Sequence, residues 1–311
     1  MAGVLGRVAR TSVPRLTGLG EGLGARPGPA QIEGARHASL QTVKQRMRSV
    51  ANIMKITKAM KMVAAARMRG AQTRVEKSRG MREAVFRMVG DSPAAEGVEK
   101  VVTVPVSSDR GLCGGINSAV NKYVKTLNEL NEGESSSMVV VGEKSRSGLQ
   151  NTLGTQFSHS FVDGTKSAGG FSLASTICED ILQQEHDAVR VVYNRFKSAI
   201  SFEPTLATSL APATLETSGF SQESDKYEVE GPDRSELLTD LSEFSLAVTF
   251  HNGFLENSCS EQASRVQAME NSSKNASEML EKLTLMYNRT RQAAITTELI
   301  EIISGAAALE G

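Results

Sequence analysis

Tryptophan is absent from this 311-residue chain, and aromatic residues make up only 5% of it. So few rings argue against a stacking platform for single-stranded nucleic acid. The three cysteines, Cys113, Cys178 and Cys259, are widely spaced and form no CxxC. Neither a disulfide framework nor a metal-ligand spacing can be built from them. His37, His159, His186 and His251 are scattered too, so no structural metal is expected. No apolar run approaches the roughly 18 residues that a membrane-spanning helix needs. There is no GxGxxG and no Gly-Lys-Ser/Thr ending a phosphate loop, so a nucleotide-dependent enzyme is unsupported and no cofactor is expected.

Charge is plentiful and unevenly placed. Thirty-five basic residues balance thirty-five acidic ones. Residues 1–39 carry five Arg against Glu21 and Glu33, a net +3. Residues 40–89 carry thirteen Lys/Arg against Glu76 and Glu83, a net +11. The remainder carries seventeen basic and thirty-one acidic residues, a net −14. A basic front is joined to an acidic body. Hydrophobic residues, 40% of the chain, suffice for a core.

Residues 1–37 hold five Arg, no Lys and two acids among small residues, Gly and Pro. The apolar core of a secretory signal is missing, and an Arg-rich, acid-poor leader reads as an organelle transit peptide. Arg36 stands two residues before Ala38, which places the expected cut after His37.

From Leu40 onward, apolar residues follow an alternating 3–4 spacing. Positions 40, 43, 47, 50, 54, 57, 61, 64, 68, 71, 75, 78, 82, 85 and 89 hold eleven apolar residues of fifteen, with no Pro inside. That is a coiled-coil seam. Asp91-Ser92-Pro93 supplies the stop. The same spacing recurs at 255, 259, 262, 266, 269, 273, 276, 280, 283, 287, 290 and 294, within an expected helix from about Ser235 to Ile303. At 1.5 Å per residue the two helices would be about 75 and 100 Å long. A compact body of this size is only about 48 Å across. The helices must therefore project, and pairing them antiparallel buries both seams. The stretch from Ala293 to Leu309 is apolar on nearly every side and contains no Lys or Arg. A helix apolar all round is buried in something, and the expectation is a sleeve made by another protein.

Between the helices, short buried runs at 101–106, 138–142 and 189–193 read as strands, with two further candidates at 157–162 and 201–209. Helical patterns at 116–130, 145–153 and 172–184 alternate with them, which argues a mainly parallel βαβ sheet. Residues 211–232, rich in Ser, Thr, Glu and Gly, read as a loop. The expected organisation is a leader at 1–37, an N-terminal coiled-coil helix at 38–92, a Rossmann-like α/β domain at 93–232 and a C-terminal coiled-coil helix at 233–311.

Asp109-Arg-Gly-Leu-Cys-Gly-Gly115 follows a strand and precedes a helix, where nucleotide folds bind phosphate. Without a fingerprint it is read as a structural turn, with an anion site as the alternative. Cys113 lies beside Arg110 near a helix start, but no histidine is adjacent to make it a catalytic nucleophile. The +11 helix has three readings: a solvated face, a basic coiled coil gripping RNA, or a shaft turning within an acidic protein collar. The sequons at Asn271, Asn275 and Asn288 fall on a helical pattern and are read as chance.

Longer motifs separate these readings. Lys55-Ile-Thr-Lys-Ala-Met-Lys-Met-Val-Ala-Ala-Ala-Arg67 resembles the N-terminal signature of the γ-subunit family of F-type ATP synthases. The 109–115 segment is similar to that family's central motif, and Tyr193-Asn-Arg-Phe196 also matches. Glu261–Arg265, Met269-Glu-Asn271, Lys274–Leu285 and Asn288–Leu309 resemble its C-terminal helix and tip. The resemblance implies a non-catalytic rotating central shaft in the mitochondrion, peripheral on the matrix side of the inner membrane. It implies as partners the α3β3 hexamer of F1, the δ and ε subunits and the membrane c-ring, with no nucleic acid. It places Met60, Lys61 and Arg67 where the shaft meets the acidic lever of β. It makes Arg289, Arg291, Gln292, Thr296 and Glu298 candidates for a catch on a β-subunit loop. Cys113 and Cys178 lack the close spacing of the regulatory pair in chloroplast members, which makes thiol switching doubtful.

Overall fold

The computed structural model describes residues 29–89, 98–131, 135–164, 170–217 and 233–310. Most of the expected leader, residues 1–28, lies outside them, as do Asp91-Ser92-Pro93 and residues 218–232. In chain order the elements are α1 (Pro29–Val89), β1 (Lys100–Pro105), α2 (Ile116–Leu130), β2 (Ser135–Val141), α3 (Glu143–Leu153), β3 (Phe157–Phe161), α4 (Phe171–Leu182), β4 (Ala188–Phe196), β5 (Phe202–Leu210), α5 (Pro212–Thr217) and α6 (Arg234–Glu310). Residues 47–284 form one compact unit, and residues 1–46 with 285–311 another.

The sheet runs β3-β2-β1-β4-β5. The first four strands are mutually parallel, as the βαβ pattern predicts, and β5 is antiparallel to β4. Only residues 197–201 join β4 to β5, too few for a parallel crossover. Side chains alternate across the strands. Val102, Val104, Val139, Val141, Val189 and Val191 pack under α4 and α6 with Ile177, Leu246, Phe250 and Phe254. Met138, Val140 and Val192 face the other way, onto Val120, Val124 and Leu149 of α2 and α3. Burial on both faces explains why the central strands read as unbroken Val runs.

Pro105 sits in a central strand, where a missing N–H ought to break a ladder. The β1–β2 register runs only to Thr103↔Met138 and resumes at an isolated Val106↔Val141 bridge. The Ser107 amide then donates to the Val141 carbonyl at 2.9 Å. The proline falls in the gap between these bonds.

Several boundaries differ from the sequence reading. Helix α1 begins at Pro29 rather than at residue 38, since Pro is tolerated in a first helical turn, so the expected cut after His37 falls inside it. Strand β4 extends to Phe196, carrying Asn194 and Arg195 beyond the apolar run, because it pairs with β5 along its whole length. Strand β2 starts at Ser135 because its polar first turn pairs with Lys100–Val102. Helix α5 lies within the expected loop, held by Leu215 packing on Ala188, Leu210 and Leu238.

Both seams are present. Every seam position of α1 from Leu40 to Val85 is buried or half-buried, as is every one of the twelve in α6. Within residues 47–284 the two helices run antiparallel: Lys61 pairs with Glu270 at 2.8 Å, and Asn252 donates to Ser78 at 3.0 Å. Ala71, Val75 and Met68 pack on Leu255, Cys259 and Ala263. Val75 is 1% exposed, whereas Val50 is half-buried. An unpaired charge is costly in proportion to its burial. Val75→Asp is expected to destabilise the fold by at least about 3 kcal/mol in denaturant unfolding, and Val50→Asp by less. Wild-type melting of the Val75 variant would show the seam to be misassigned.

Candidate functional site: a helical shaft and its socket

The loop after β1 lies where the strand order reverses, with β2 on one side of β1 and β4 on the other. In open α/β sheets this switch point, at the carboxyl ends of the strands, is the usual ligand crevice. Here α6 occupies it. Ser264 Oγ donates to the Cys113 carbonyl at 2.5 Å, and Ser260 Oγ to the Asn194 carbonyl at 3.1 Å. Asn194 Nδ2 donates to Asn257 Oδ1 at 3.0 Å. Gly114 has φ +64, and a Cβ there would stand 2.9 Å from Ser264 Oγ, so only glycine lets the loop approach this closely. The expected structural turn at 109–115 is therefore a socket wall rather than a phosphate cradle.

Glu256 of α6 is 2% exposed. Arg79 of α1 grips it through Nε to Oε1 at 2.7 Å and Nη2 to Oε2 at 3.0 Å. Oε2 also accepts from the Phe196 amide at 2.8 Å, and Arg79 Nη2 donates to the Phe196 carbonyl at 2.6 Å. The hydrogen bond to Glu256 is the main reason the Arg79 guanidinium lies above its usual pKa. Glu261 pairs with Arg265 at 2.5 Å, yet burial outweighs that pairing and pushes its carboxyl up. Sequence reasoning missed Arg79 and Glu256. The available signal was a lone acid in the run Phe254-Leu255-Glu256, on a helix otherwise buried there.

Met60 and Arg67 do meet on one surface. With Ile56, Val63, Arg110 and the exposed Leu112 they line a groove of about 620 Å³. Lys61 is aimed elsewhere: its ammonium is engaged by Glu270 of the same chain. In the unit containing residues 285–311, Arg289, Arg291, Gln292, Thr296 and Glu298 are all exposed on α6. Arg289 and Gln292 share a stripe with Thr296, and Arg291 shares the neighbouring one with Glu298. The Thr296 hydroxyl is spent on the Gln292 carbonyl at 2.9 Å. Arg291 makes no ion pair among the described residues. From Glu298 to Leu309 every side chain is exposed, including Leu299, Ile300, Ile302 and Ile303, and Leu309 is 90% exposed. Among the described residues, no group of His, Cys, Asp and Glu could hold a metal, and no helix is long and apolar enough to cross a membrane.

A family model described as ATP synthase matches residues 39–309. The chain is 46% identical over 288 residues to the mitochondrial ATP synthase subunit gamma of Ipomoea batatas, covering 90% of this chain and 88% of that one. The chain belongs to the ATP synthase γ-subunit family. Among solved structures, the central stalk and c-ring of the Tetrahymena thermophila mitochondrial ATP synthase contains a chain 32% identical to it. That match has a TM-score of 0.59 and covers 70% of this chain and 99% of the other. A chain of the Euglena gracilis mitochondrial enzyme shares the fold at a TM-score of 0.77 and 21% identity, covering 88% and 95% respectively. As a γ subunit the chain is the central rotor of an F1Fo ATP synthase, and the RNA-binding reading of its basic helix has no support.

The cysteines are buried in this fold. Burial pushes the Cys178 and Cys259 thiols up to about 12, so almost none of either is thiolate near neutrality. Maleimide at pH 8 is expected to leave both unlabelled in the native protein and to label them once it is unfolded. Rapid native labelling of either would contradict the packing.

Proposed function

We propose that this γ subunit is a non-catalytic shaft that couples proton flow through the membrane sector to ATP synthesis at the β-subunit sites. The observation that carries the reading is the burial pattern of α6. Its seam is covered as far as Ala294, and the twelve residues from Glu298 to Leu309, mostly apolar, are all exposed. A helix of that composition must be enclosed by a partner. The proposed enclosure is the α3β3 hexamer, with the α/β domain seated on the c-ring beside the δ and ε subunits, and with no nucleic acid bound. The rotor works as a peripheral subunit on the matrix side of the mitochondrial inner membrane. Proposed divisions are a removed leader at 1–37, the first coiled-coil helix at 38–92, the α/β domain at 93–232 and the second helix at 233–311. The family match beginning at residue 39 supports that cut. N-terminal sequencing of the assembled subunit should start near Ala38, and an intact Met1 would refute the cut.

Two surfaces meet the ring in this proposal. Met60 and Arg67, with Lys61 beside them, face the acidic lever of β. The Lys61–Glu270 pair is largely solvated, and such pairs contribute about 0–1 kcal/mol, so Lys61→Ala should change turnover more than assembly. Near the tip, Arg291 and Gln292 donate to a β-subunit loop at one rotary angle, with Arg289, Thr296 and Glu298 alongside. The planar guanidinium suits a bidentate bond to a carboxylate. A charge-assisted bond made at one angle and broken at the others is worth about 1.5–3 kcal/mol, up to about a hundredfold in rate. ATP hydrolysis by α3β3γ complexes carrying Arg291→Ala or Gln292→Ala should slow while assembly stays intact. Wild-type turnover in both variants would eliminate the catch.

A further inference from the structure

We infer that the polar socket between α6, α1 and the carboxyl edge of the sheet is the torque-bearing joint of the rotor, with Arg79 and Glu256 as its positioning residues. The inference rests on the rotor reading and adds to it where within the chain the load is held. Four side chains of α6, Glu256, Asn257, Ser260 and Ser264, repeat at roughly helical spacing on the face toward the α/β domain, and all are buried. Three of them bond directly to main-chain atoms: Glu256 to the Phe196 amide, Ser260 to the Asn194 carbonyl and Ser264 to the Cys113 carbonyl. Asn257 engages the side chain of Asn194 between them.

Main-chain atoms cannot move without moving the strand or loop they belong to. An apolar interface of the same size would hold α6 equally well against withdrawal, but side chains can slide past one another while burying the same area. Hydrogen bonds fail steeply with angle, so this row resists turning of α6 about its own axis. Arg79 extends the lock to the other helix, because its guanidinium bonds both Glu256 and the Phe196 carbonyl. One node thus fixes α1, α6 and β4 in rotational register.

The test uses the whole F1Fo complex in sealed vesicles, with Arg79→Ala, Glu256→Gln and the milder Ser264→Ala. Loss of one charge-assisted bond should raise exchange of the Phe196 amide about 10- to 100-fold. The decisive readout is the ratio of protons pumped to ATP hydrolysed as an opposing proton gradient is raised, well below each variant's melting temperature. With no opposing gradient the ratio should equal that of wild type. As the load rises it should fall in all three variants before it falls in wild type. A merely stabilising contact would lower melting without making the ratio depend on load. Unchanged protection of Phe196 in both Arg79→Ala and Glu256→Gln, or a ratio that tracks wild type at every load, would overturn the joint. Failure of the wild-type complex to pump at all would count against the rotor reading instead.

Discussion

A carboxylate closed off from water is stable only where donors replace its hydration. The carboxylate of Glu256 meets that condition by gathering donors from two distant parts of the chain, the Arg79 guanidinium and the Phe196 amide. The rest of the packing follows from this meeting. It sets which turn of α1 faces which turn of α6, and hence that Val75 lies against Leu255 and Cys259. It also fixes the end of β4, and through β4 the sheet. Removing one partner would leave a charge or an amide unpaired in the interior, so the arrangement has little freedom to drift.

The same packing explains why a doubly wound sheet with no nucleotide fingerprint keeps a glycine-rich loop at its switch point. The crevice is filled from within. Gly114 has no side chain so that the loop can approach Ser264, and Leu112, also at positive φ, turns its side chain outward into the groove with Met60. At Gly142, φ +98, an added Cβ would stand only 2.6–2.9 Å from Ser107, so a glycine there lets the second strand–helix turn lie against the first. Backbone geometry that elsewhere receives a phosphate here receives a helix.

How far the sequence was legible follows from this division. The seams were legible because a 3.5-residue repeat over fifty residues has few competing explanations; all their described positions are at least half-buried. The strands were legible where both faces are apolar and indistinct where pairing alone sustains them, as at Ser135–Ser137 and Asn194–Arg195. Helix α5 was hidden because six residues carry no period. The socket was illegible in principle, since Arg79 and Glu256 are 177 positions apart. Charge patterning showed a basic helix but could not show that Arg79 points inward while Arg67 points out. The tip residues come from the family motif alone; in the structure Arg289 and Arg291 are both exposed.

The character of the bonding changes along α6, and that change is itself a mechanical specification. Near Glu256 to Ser264 the helix is held by buried, directional bonds. From Val266 to Thr284 the seam buries Met269, Ser273 and Ala276, with a largely solvated ion pair at Glu270. From Glu298 to Leu309 its side chains, most of them hydrophobic, are exposed. Directional bonds store energy when twisted, whereas apolar contact mainly opposes separation. A helix graded in this order is clamped where it must carry the body with it. At its far end it offers a surface that can stay buried in a partner at any angle. A uniform seam would satisfy burial equally well but would give no reason for buried, bonded polar residues from Glu256 to Ser264 and exposed hydrophobic ones from Leu299 to Leu309.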